Sequence, residues 1–316
     1  LTVGTRKELE QLLDKTKLFC LRQSNMVYYT AEDEGGGSML CASATDLTAQ
    51  LRQTLWRQER PMVLASGTLA VRNDFRRFKE ETGLLADGRV REHTAPSPFD
   101  YQRNCLLYLP KMLPKQASGD YYDALAEQIA RLLEASHGHA LGLFTSYAAM
   151  SAVRERLDRK HLPYPILTLG RNSGRTMEEF MARPGSVLLA AGAAWEGFDF
   201  PGDCVSLLIL PRLPFPLPDA VKEQERMRHS TLHEFLRAVV VPEMQIKLRQ
   251  GFGRAIRTET DTCVVAVLDE RAGRDRRYFR DMMAALPEVA VTHSMTDVER
   301  FIRAVKPEGY FLEGAA

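Results

Sequence analysis

The stretch Ala140-Leu141-Gly142-Leu143-Phe144-Thr145-Ser146-Tyr147 joins a continuous apolar run to two hydroxyl residues and the start of a helical pattern. This unit of apolar strand and helix recurs along the chain from about residue 100. Buried strands are predicted at residues 104–109, 140–144, 165–169, 186–190, 205–210 and 262–268, and helices at 121–135, 147–159, 176–181, 219–257 with a break near Pro242, 275–285 and 296–305. Apolar strands that alternate with helices indicate a mostly parallel sheet covered on both faces, so the sequence predicts a doubly wound α/β domain.

The first seventy residues follow a different pattern. Helices are predicted at residues 8–17 and 46–58, and strands at 26–30, 38–41 and 61–65, with a turn at Glu34-Gly35-Gly36-Gly37. The three glycines are not a phosphate-binding loop, because the Gly-Lys-Ser/Thr that closes the Walker pattern is missing. We therefore expect a small α+β extension before the main sheet.

Composition limits the classes of protein that this chain can belong to. Its 316 residues are 45% hydrophobic and 26% charged, as in ordinary globular proteins, and the net charge of +1 means that a polyanion would have to bind a local patch. The five cysteines lie far apart, without a C-x-x-C pair, which argues against zinc or an iron–sulfur cluster in this chain and predicts buried thiols in a reducing compartment. The sequence contains neither an apolar run long enough to span a membrane nor a signal-peptide pattern, so a cytoplasmic location without membrane contact is expected.

Two arginines in the segment 245–257 are candidates for binding an anion. Arg254 and Arg257 are three residues apart, so on a helix their guanidinium groups would leave the same face and could hold phosphate oxygens. Gly251 and Gly253 lower helix stability by about 1 kcal/mol each, which is reasonable where another group must approach the backbone closely. The alternative is an ordinary basic helix face that is solvated or forms salt bridges.

Hydroxyl residues follow two of the predicted strands. Thr145 and Ser146 lie between a strand and a helix, where backbone N–H groups and the positive helix end favour an anion, although Ser146 could equally be a plain N-cap. Ser66 and Thr68 follow the predicted strand 61–65, at the end of a strand where open α/β sheets bind ligands; a plain turn is the alternative.

The segment 190–202 combines acids, aromatic residues, three glycines and a proline directly after a strand. Such a composition favours a constrained loop. Trp195 and Phe198 in this loop could be core residues or part of a binding surface.

These stretches together resemble the helicase motifs of the DinG/XPD group of superfamily 2. Gln250-x-x-Gly253-Arg254-x-x-Arg257 resembles motif VI, and the segment 195–202 resembles motif V, with Ala194 where an aromatic residue is usual. The segment 143–147 is similar to motif IV, and 66–69, Ser-Gly-Thr-Leu, to motif III. The four motifs occur in the order of that family, and the likeness covers most of the chain.

The resemblance implies a RecA-like fold of the P-loop NTPase type, with residues 1–70 as the tail of a first motor domain and 71–316 as the second. It further implies a 5′-to-3′ DNA helicase that uses ATP and Mg²⁺, both bound mainly by the first motor domain, because a Walker lysine and an Asp-Glu-x-His box are missing from this chain. The expected partners are single-stranded DNA and the N-terminal motor domain of the same protein, and an iron–sulfur cluster would belong to that other part. By itself the chain should be inactive.

The same resemblance implies roles for individual residues. Those expected to act in ATP hydrolysis are Arg254, Arg257, Gln250 and Glu196, and those expected near the nucleotide are Gly253, Asp199 and Gly197. Those expected to contact single-stranded DNA are Thr145, Ser146, Gly192, Trp195, Ser66 and Thr68.

Two other functions remain open at this point. The chain could be a single-stranded nucleic-acid-binding or regulatory module that keeps the fold without hydrolysing ATP, for which weak, salt-sensitive binding is expected. A small-molecule enzyme on a doubly wound sheet is the third possibility, but the dinucleotide pattern G-x-G-x-x-G does not follow the first strand.

Overall fold

The computed structural model describes residues 3–32, 36–58, 60–71, 73–111, 115–170, 174–195, 198, 200 and 202–311. The chain forms two compact units. We call Leu1–His93 with Pro216–Val240 the N-terminal unit, and Thr94–Phe215 with Val241–Ala316 the sheet unit. The domain division expected after residue 70 refers to a longer helicase and stays a prediction.

The helices and strands alternate as the sequence predicts. The strands are β1 (Met26–Glu32), β2 (Ser38–Ala44), β3 (Cys105–Tyr108), β4 (Ala140–Phe144), β5 (Ile166–Thr168), β6 (Val187–Ala191), β7 (Leu207–Leu210), β8 (Cys263–Val267) and β9 (Ala290–Thr292). The α-helices are α1 (Val3–Leu21), α2 (Thr48–Thr54), α3 (Arg76–Thr82), α4 (Tyr101–Asn104), α5 (Tyr121–Ala135), α6 (Tyr147–Asp158), α7 (Gly174–Ala182), α8 (Ala220–Arg226), α9 (Leu232–Phe235), α10 (Val241–Phe252), α11 (Phe279–Ala285) and α12 (Met295–Val305). A π-helical turn, Leu236–Val240, precedes α10.

The sheet unit contains a seven-stranded sheet in the order β5-β6-β4-β7-β8-β3-β9, with parallel pairing throughout. All six predicted strands of this region are present. The seventh, β9, was missed because it has only three residues and two of them are exposed. The prediction of a doubly wound, RecA-like parallel sheet is confirmed.

Alternate residues of the strands form two separate cores, one on each face of the sheet. Leu141, Leu143 and Val265 point to the face covered by α7, α10 and α11. Ala140 and Val264 point to the opposite face, which α5, α6 and α12 cover. Because both faces are buried, every residue of β3, β4, β6, β7 and β8 is buried, which explains their unbroken apolar sequences.

The N-terminal unit contains α1, the antiparallel hairpin β1–β2, α2 and α3, as the α+β prediction requires. The predicted turn at 34–37 lies partly outside the described residues. The predicted strand at 61–65 is wrong: these residues have no regular secondary structure, and Val63 is 91% exposed. An apolar run forms a strand only beside a partner backbone, and no described strand pairs with it.

The prediction that all cysteines are buried is only partly correct. Cys105 in β3 and Cys263 in β8 are buried, whereas Cys41 and Cys204 are half-buried and Cys20 is exposed on α1. Among the described helices, none combines the length with the apolar character that a membrane span requires.

Gly138, between α5 and β4, allows two loops to pass at close range. Its φ is +76°, and a Cβ atom at this position would lie 1.8 Å from the carbonyl oxygen of Gly185. We predict that Gly138→Ala lowers the free energy of unfolding by about 3 kcal/mol or more, since left-handed strain adds to a clash between backbones. Urea unfolding measured by circular dichroism checks this. Gly119→Ala is the control, because a Cβ at Gly119 meets nothing within 4 Å; equal midpoints for the two variants would contradict the prediction.

Candidate nucleotide and nucleic-acid site

The carboxyl ends of β4 and β6 lie side by side, and the first candidate residues follow them. Ser146 caps α6, its hydroxyl accepting a hydrogen bond from the Ala149 N–H at 3.2 Å, so the N-cap interpretation is confirmed. Thr145 is half-buried and Ser146 is exposed. Gly192 follows β6 with a φ of +65°, and a Cβ there would lie 3.0 Å from the Tyr147 hydroxyl. Three of the residues expected to contact DNA at motifs IV and V, Thr145, Ser146 and Gly192, therefore lie at neighbouring strand ends. The fourth, Trp195, is buried.

Trp195 is a core residue. It ends a short 3₁₀ helix, Gly192–Trp195, and is 1% exposed. Its indole Nε1 donates to the carbonyl of Phe144, the last residue of β4, at 2.9 Å. A base cannot stack on this ring as it stands, which corrects the expectation that the Trp195 side chain is part of the DNA-binding surface.

Gly251 allows α10 to pack on the face of Trp195. A Cβ at Gly251 would lie 2.7 Å from the indole Cζ3 and 2.9 Å from Cε3. The Nζ of Lys247, one turn earlier, lies 5.8 Å from the indole centroid, within the range of a cation–π contact. The glycine that weakens the helix thus serves a close approach, as the sequence predicts, and the approaching group is Trp195.

The helix that carries these residues ends at Phe252, before both arginines. The Gly253 N–H still donates to the Arg249 carbonyl at 3.0 Å, but the N–H of Arg254 bonds to the Gly251 carbonyl in a tighter turn. The expectation that Arg254 and Arg257 leave one face of a helix is therefore wrong. The physical reason is the Gly-Phe-Gly sequence, which destabilises the last helical turn, while Ala255 and Ile256 turn into the core.

Arg254 connects this turn to the loop after β6. Its Nη1 donates to the Phe198 carbonyl and its Nη2 to the Trp195 carbonyl at 3.4 Å, and the side chain is half-buried. The stretches that resemble motifs V and VI are thus in direct contact. Three further candidates in this loop, Glu196, Gly197 and Asp199, lie outside the described residues.

Arg257 is exposed, and its backbone is fixed by an acid that the sequence reasoning missed. The buried carboxylate of Asp261 accepts hydrogen bonds from the N–H groups of Arg257 and Thr258, both at 2.8 Å, and from the Thr258 hydroxyl at 2.7 Å. The Thr-x-x-Asp spacing of Thr258 and Asp261 could have indicated these hydrogen bonds from the sequence. Gln250 and Gly253 are half-buried beside this turn.

Ser66 and Thr68 belong to the N-terminal unit, in a turn where their hydroxyl oxygens lie 3.2 Å apart. The turn interpretation is confirmed, and their contact with DNA stays a prediction. Among the described residues, no group of three or more His, Cys, Asp or Glu side chains is placed to hold a metal ion.

Comparisons with known proteins identify the family of this chain. The family model described as "Helicase C-terminal domain" matches residues 129–289, about half of the chain. The ATP-dependent DNA helicase YoaA of Haemophilus influenzae is 31% identical over 314 residues, which are 96% of this chain and 48% of YoaA. The ATP-dependent helicase DinG of Mycobacterium tuberculosis is 33% identical over 288 residues, which are 89% of this chain and 43% of DinG.

The fold has relatives among solved structures as well. That of S. tokodaii Xpd4 has a TM-score of 0.54 at 17% identity and covers 81% of this chain and 49% of Xpd4, a likeness that concerns the fold alone. The chain spans about half the length of the relatives that it matches. With the family model matched across β4 to β8 and the parallel sheet in place, this chain belongs to the helicase C-terminal domain family, and within it to the DinG/XPD-like helicases of superfamily 2.

Proposed function

We propose that this chain is the second motor domain of an ATP-dependent 5′-to-3′ DNA helicase. In this proposal it supplies arginines to ATP hydrolysis and one wall of a channel for single-stranded DNA. A first motor domain of the same protein binds ATP and Mg²⁺ and faces this chain across the nucleotide.

One observation carries the proposal: the contact of Arg254 with the carbonyls of Trp195 and Phe198. Trp195 also bonds to the end of β4 and packs on Gly251 of α10. Any displacement of the turn at Arg254 is therefore transmitted to the loops after β4 and β6. A motor needs this property, since it must couple a phosphate-sensing group to the residues that hold the DNA.

The two arginines have different surroundings, which supports different tasks. The exposed guanidinium of Arg257 would approach the transferring phosphoryl group, where an inserted arginine stabilises the developing charge. Asp261 fixes the backbone from which this side chain starts. Arg254, tied to the loop carbonyls, would carry the nucleotide-dependent movement to the DNA side and add positive potential at the same phosphates. ATP would supply the phosphoryl group, and Mg²⁺ would neutralise the charge on its oxygens.

At the DNA side, Thr145, Ser146 and Gly192 would follow one strand of the nucleic acid. The hydroxyls and the backbone N–H groups at the start of α6 are donors for phosphate oxygens, and the exposed Gly192 adds no side chain beside them. The half-exposed ring of Tyr147, 49% accessible, is available for a base to stack.

We predict that the purified 316-residue chain hydrolyses ATP no faster than background, with or without single-stranded DNA. The groups that bind the phosphates and Mg²⁺ are assigned to the other motor domain. An assay of phosphate release tests this prediction. The protein encoded by the whole gene should show DNA-stimulated hydrolysis and should displace a strand from a duplex with a 5′ overhang. Turnover by the isolated chain would contradict the proposal, and a whole protein that binds DNA without hydrolysing ATP would favour a binding module instead.

A further inference from the structure

A group of arginines and aromatic rings lies on the sheet unit outside all the motif residues. Residues 270–280 contain five arginines and two acids. Four of the arginines, at 274, 276, 277 and 280, are exposed. Among the ion pairs between described residues none includes these four. In the same unit, Arg154 and Arg156 on α6 and Arg183 after α7 are each paired with an acid.

Aromatic rings are interleaved with these cations. The Arg271 guanidinium lies 4.7 Å from the centroid of the Phe215 ring, and Phe215 packs on Tyr278 with centroids 4.7 Å apart. The Arg277 guanidinium lies 5.1 Å from the Tyr278 centroid. Arg271, Phe215, Tyr278 and Arg277 therefore form a chain of successive contacts, with the two rings tilted by 59°, that we call the arginine–aromatic ladder.

The inner end of the ladder is rigid. Asp269 is buried and accepts hydrogen bonds from Arg271 Nη2 at 2.6 Å and from the Leu213 N–H at 2.9 Å. Burial acts to raise the pKa of Asp269, but the hydrogen bonds and charge of Arg271 outweigh burial and hold this pKa below its ordinary value. Arg271 is therefore fixed by a carboxylate that stays ionised at neutral pH, which holds its guanidinium 4.7 Å from the Phe215 centroid.

Further cations surround the ladder. Burial raises the pKa of the Tyr121 hydroxyl to about 12, and the positive charges of Arg212 and Arg271 oppose that rise. Lys111 and Arg276 line one small cavity at the ends of β3 and β8 together with two acids, Glu270 and the Asp269 that Arg271 already pairs. Asp275 is the other acid of the segment, and it is exposed.

The sheet order places the ladder on the same edge as the motif residues. Gly192 follows β6, Thr145 follows β4, and Arg212 follows β7, whereas Asp269 and Lys111 follow β8 and β3. These strands are successive neighbours and all parallel, so their carboxyl ends form one continuous edge. Four steps of about 4.8 Å separate β6 from β3, so this edge is roughly 19 Å wide.

We propose that the arginine–aromatic ladder and the exposed arginines 274, 276 and 277 bind single-stranded nucleic acid as a continuation of the track that begins at Thr145 and Gly192. The proposal rests on the proposed function, which places the strand on this edge. The guanidinium groups bind phosphates, and the Phe215–Tyr278 pair offers a π surface for a base whatever its sequence. Exposed cations that lack carboxylate partners repel one another until an anion binds, which favours a polyanion as the ligand.

The test is fluorescence anisotropy with a labelled oligo-dT of about 20 nucleotides and the 316-residue chain. The triple variant Arg274→Gln, Arg276→Gln and Arg277→Gln should weaken binding by on the order of tenfold and reduce the slope of log K against log salt by about 2, because each lost phosphate contact to a single strand contributes about 0.7. The control variant Arg131→Gln, Arg159→Gln and Arg303→Gln removes the same charge. Arg131 and Arg303 are exposed in the later parts of α5 and α12, and Arg159 is exposed directly after α6. Burial and the charge of Arg303 lower the pKa of His137, which lies before β4 at the opposite edge.

Each outcome separates this proposal from the proposed function. The ladder proposal is supported if the first triple variant binds oligo-dT more weakly while the dissociation constant of the control variant stays within twofold of wild type. Equal loss in both variants, or no loss in either, overturns it. If Thr145→Ala weakens binding while the first triple variant does not, the ladder proposal fails and the proposed function stands. If the unaltered chain does not bind oligo-dT at 50 mM salt, both fail.

Discussion

Replacing Arg257 with alanine is expected to lower kcat for ATP hydrolysis by about a thousandfold or more in the protein that contains both motor domains. The guanidinium is exposed beside a backbone that Asp261 fixes, and an arginine inserted at a transferring phosphoryl group is typically worth about 10³–10⁵ in kcat. Nucleotide affinity should change little, because the proposed function assigns most of the binding groups to the other motor domain. Steady-state hydrolysis together with binding of a fluorescent ATP analogue measures the two effects separately.

Arg254→Ala provides the comparison. It should lower hydrolysis as well, and it should also reduce the melting temperature of the isolated chain, since Arg254 donates to the carbonyls of Trp195 and Phe198. Arg257→Ala should reduce the melting temperature less than Arg254→Ala, because Arg257 is exposed and Arg254 is half-buried. Arg159→Ala, at an exposed position after α6, is the control for the loss of one charge. Near wild-type hydrolysis by Arg257→Ala would remove this residue from the catalytic assignment.

Replacing Trp195 with alanine is expected to destabilise the sheet unit by about 3–5 kcal/mol, the range for a buried large aromatic residue. The indole fills the space between β4 and α10 and forms a hydrogen bond with the Phe144 carbonyl. Trp195→Phe retains part of the ring volume and loses the donor, so its effect should be clearly smaller. Urea unfolding at equilibrium measures both variants.

Gly251→Ala tests the same contact from the α10 side. The added methyl would lie 2.7 Å from a rigid ring, so a cost of about 1–3 kcal/mol from overpacking is expected despite the better helix propensity of alanine. In the double variant with Trp195→Ala this cost should disappear, because the ring that causes the clash is gone. If Gly251→Ala instead stabilises the otherwise unaltered chain, the packing of α10 on Trp195 is wrong.

The strands of the sheet could be predicted because burial on both faces requires continuous apolar sequence, as in Ala140–Phe144 and Val187–Ala191. Thr145, Ser146 and Gly192 could be assigned to one edge of the sheet because each follows the carboxyl end of a strand, and the carboxyl ends of neighbouring parallel strands meet at one edge. The strand at 61–65 shows the limit of this reasoning. Its residues are apolar, but strand formation depends on a partner backbone that no local pattern reveals.

The arginines of motif VI show a second limit. Spacing alone put Arg254 and Arg257 on one helix face, but α10 ends at Phe252 and the two guanidinium groups have different surroundings. The ladder could not be found either, because Phe215 and Tyr278 are more than sixty residues apart in sequence and 4.7 Å apart in space.

By itself, the sequence of this protein determined the order of strands and helices, the parallel sheet and the segments that collect at its carboxyl edge. Those features follow from which residues must leave water, and that information is local. Only the tertiary structure decided that Trp195 is a core residue and that Arg254 bonds to the loop after β6. Those outcomes depend on close contacts between segments distant in sequence, where differences of a few tenths of an ångström select one packing over another.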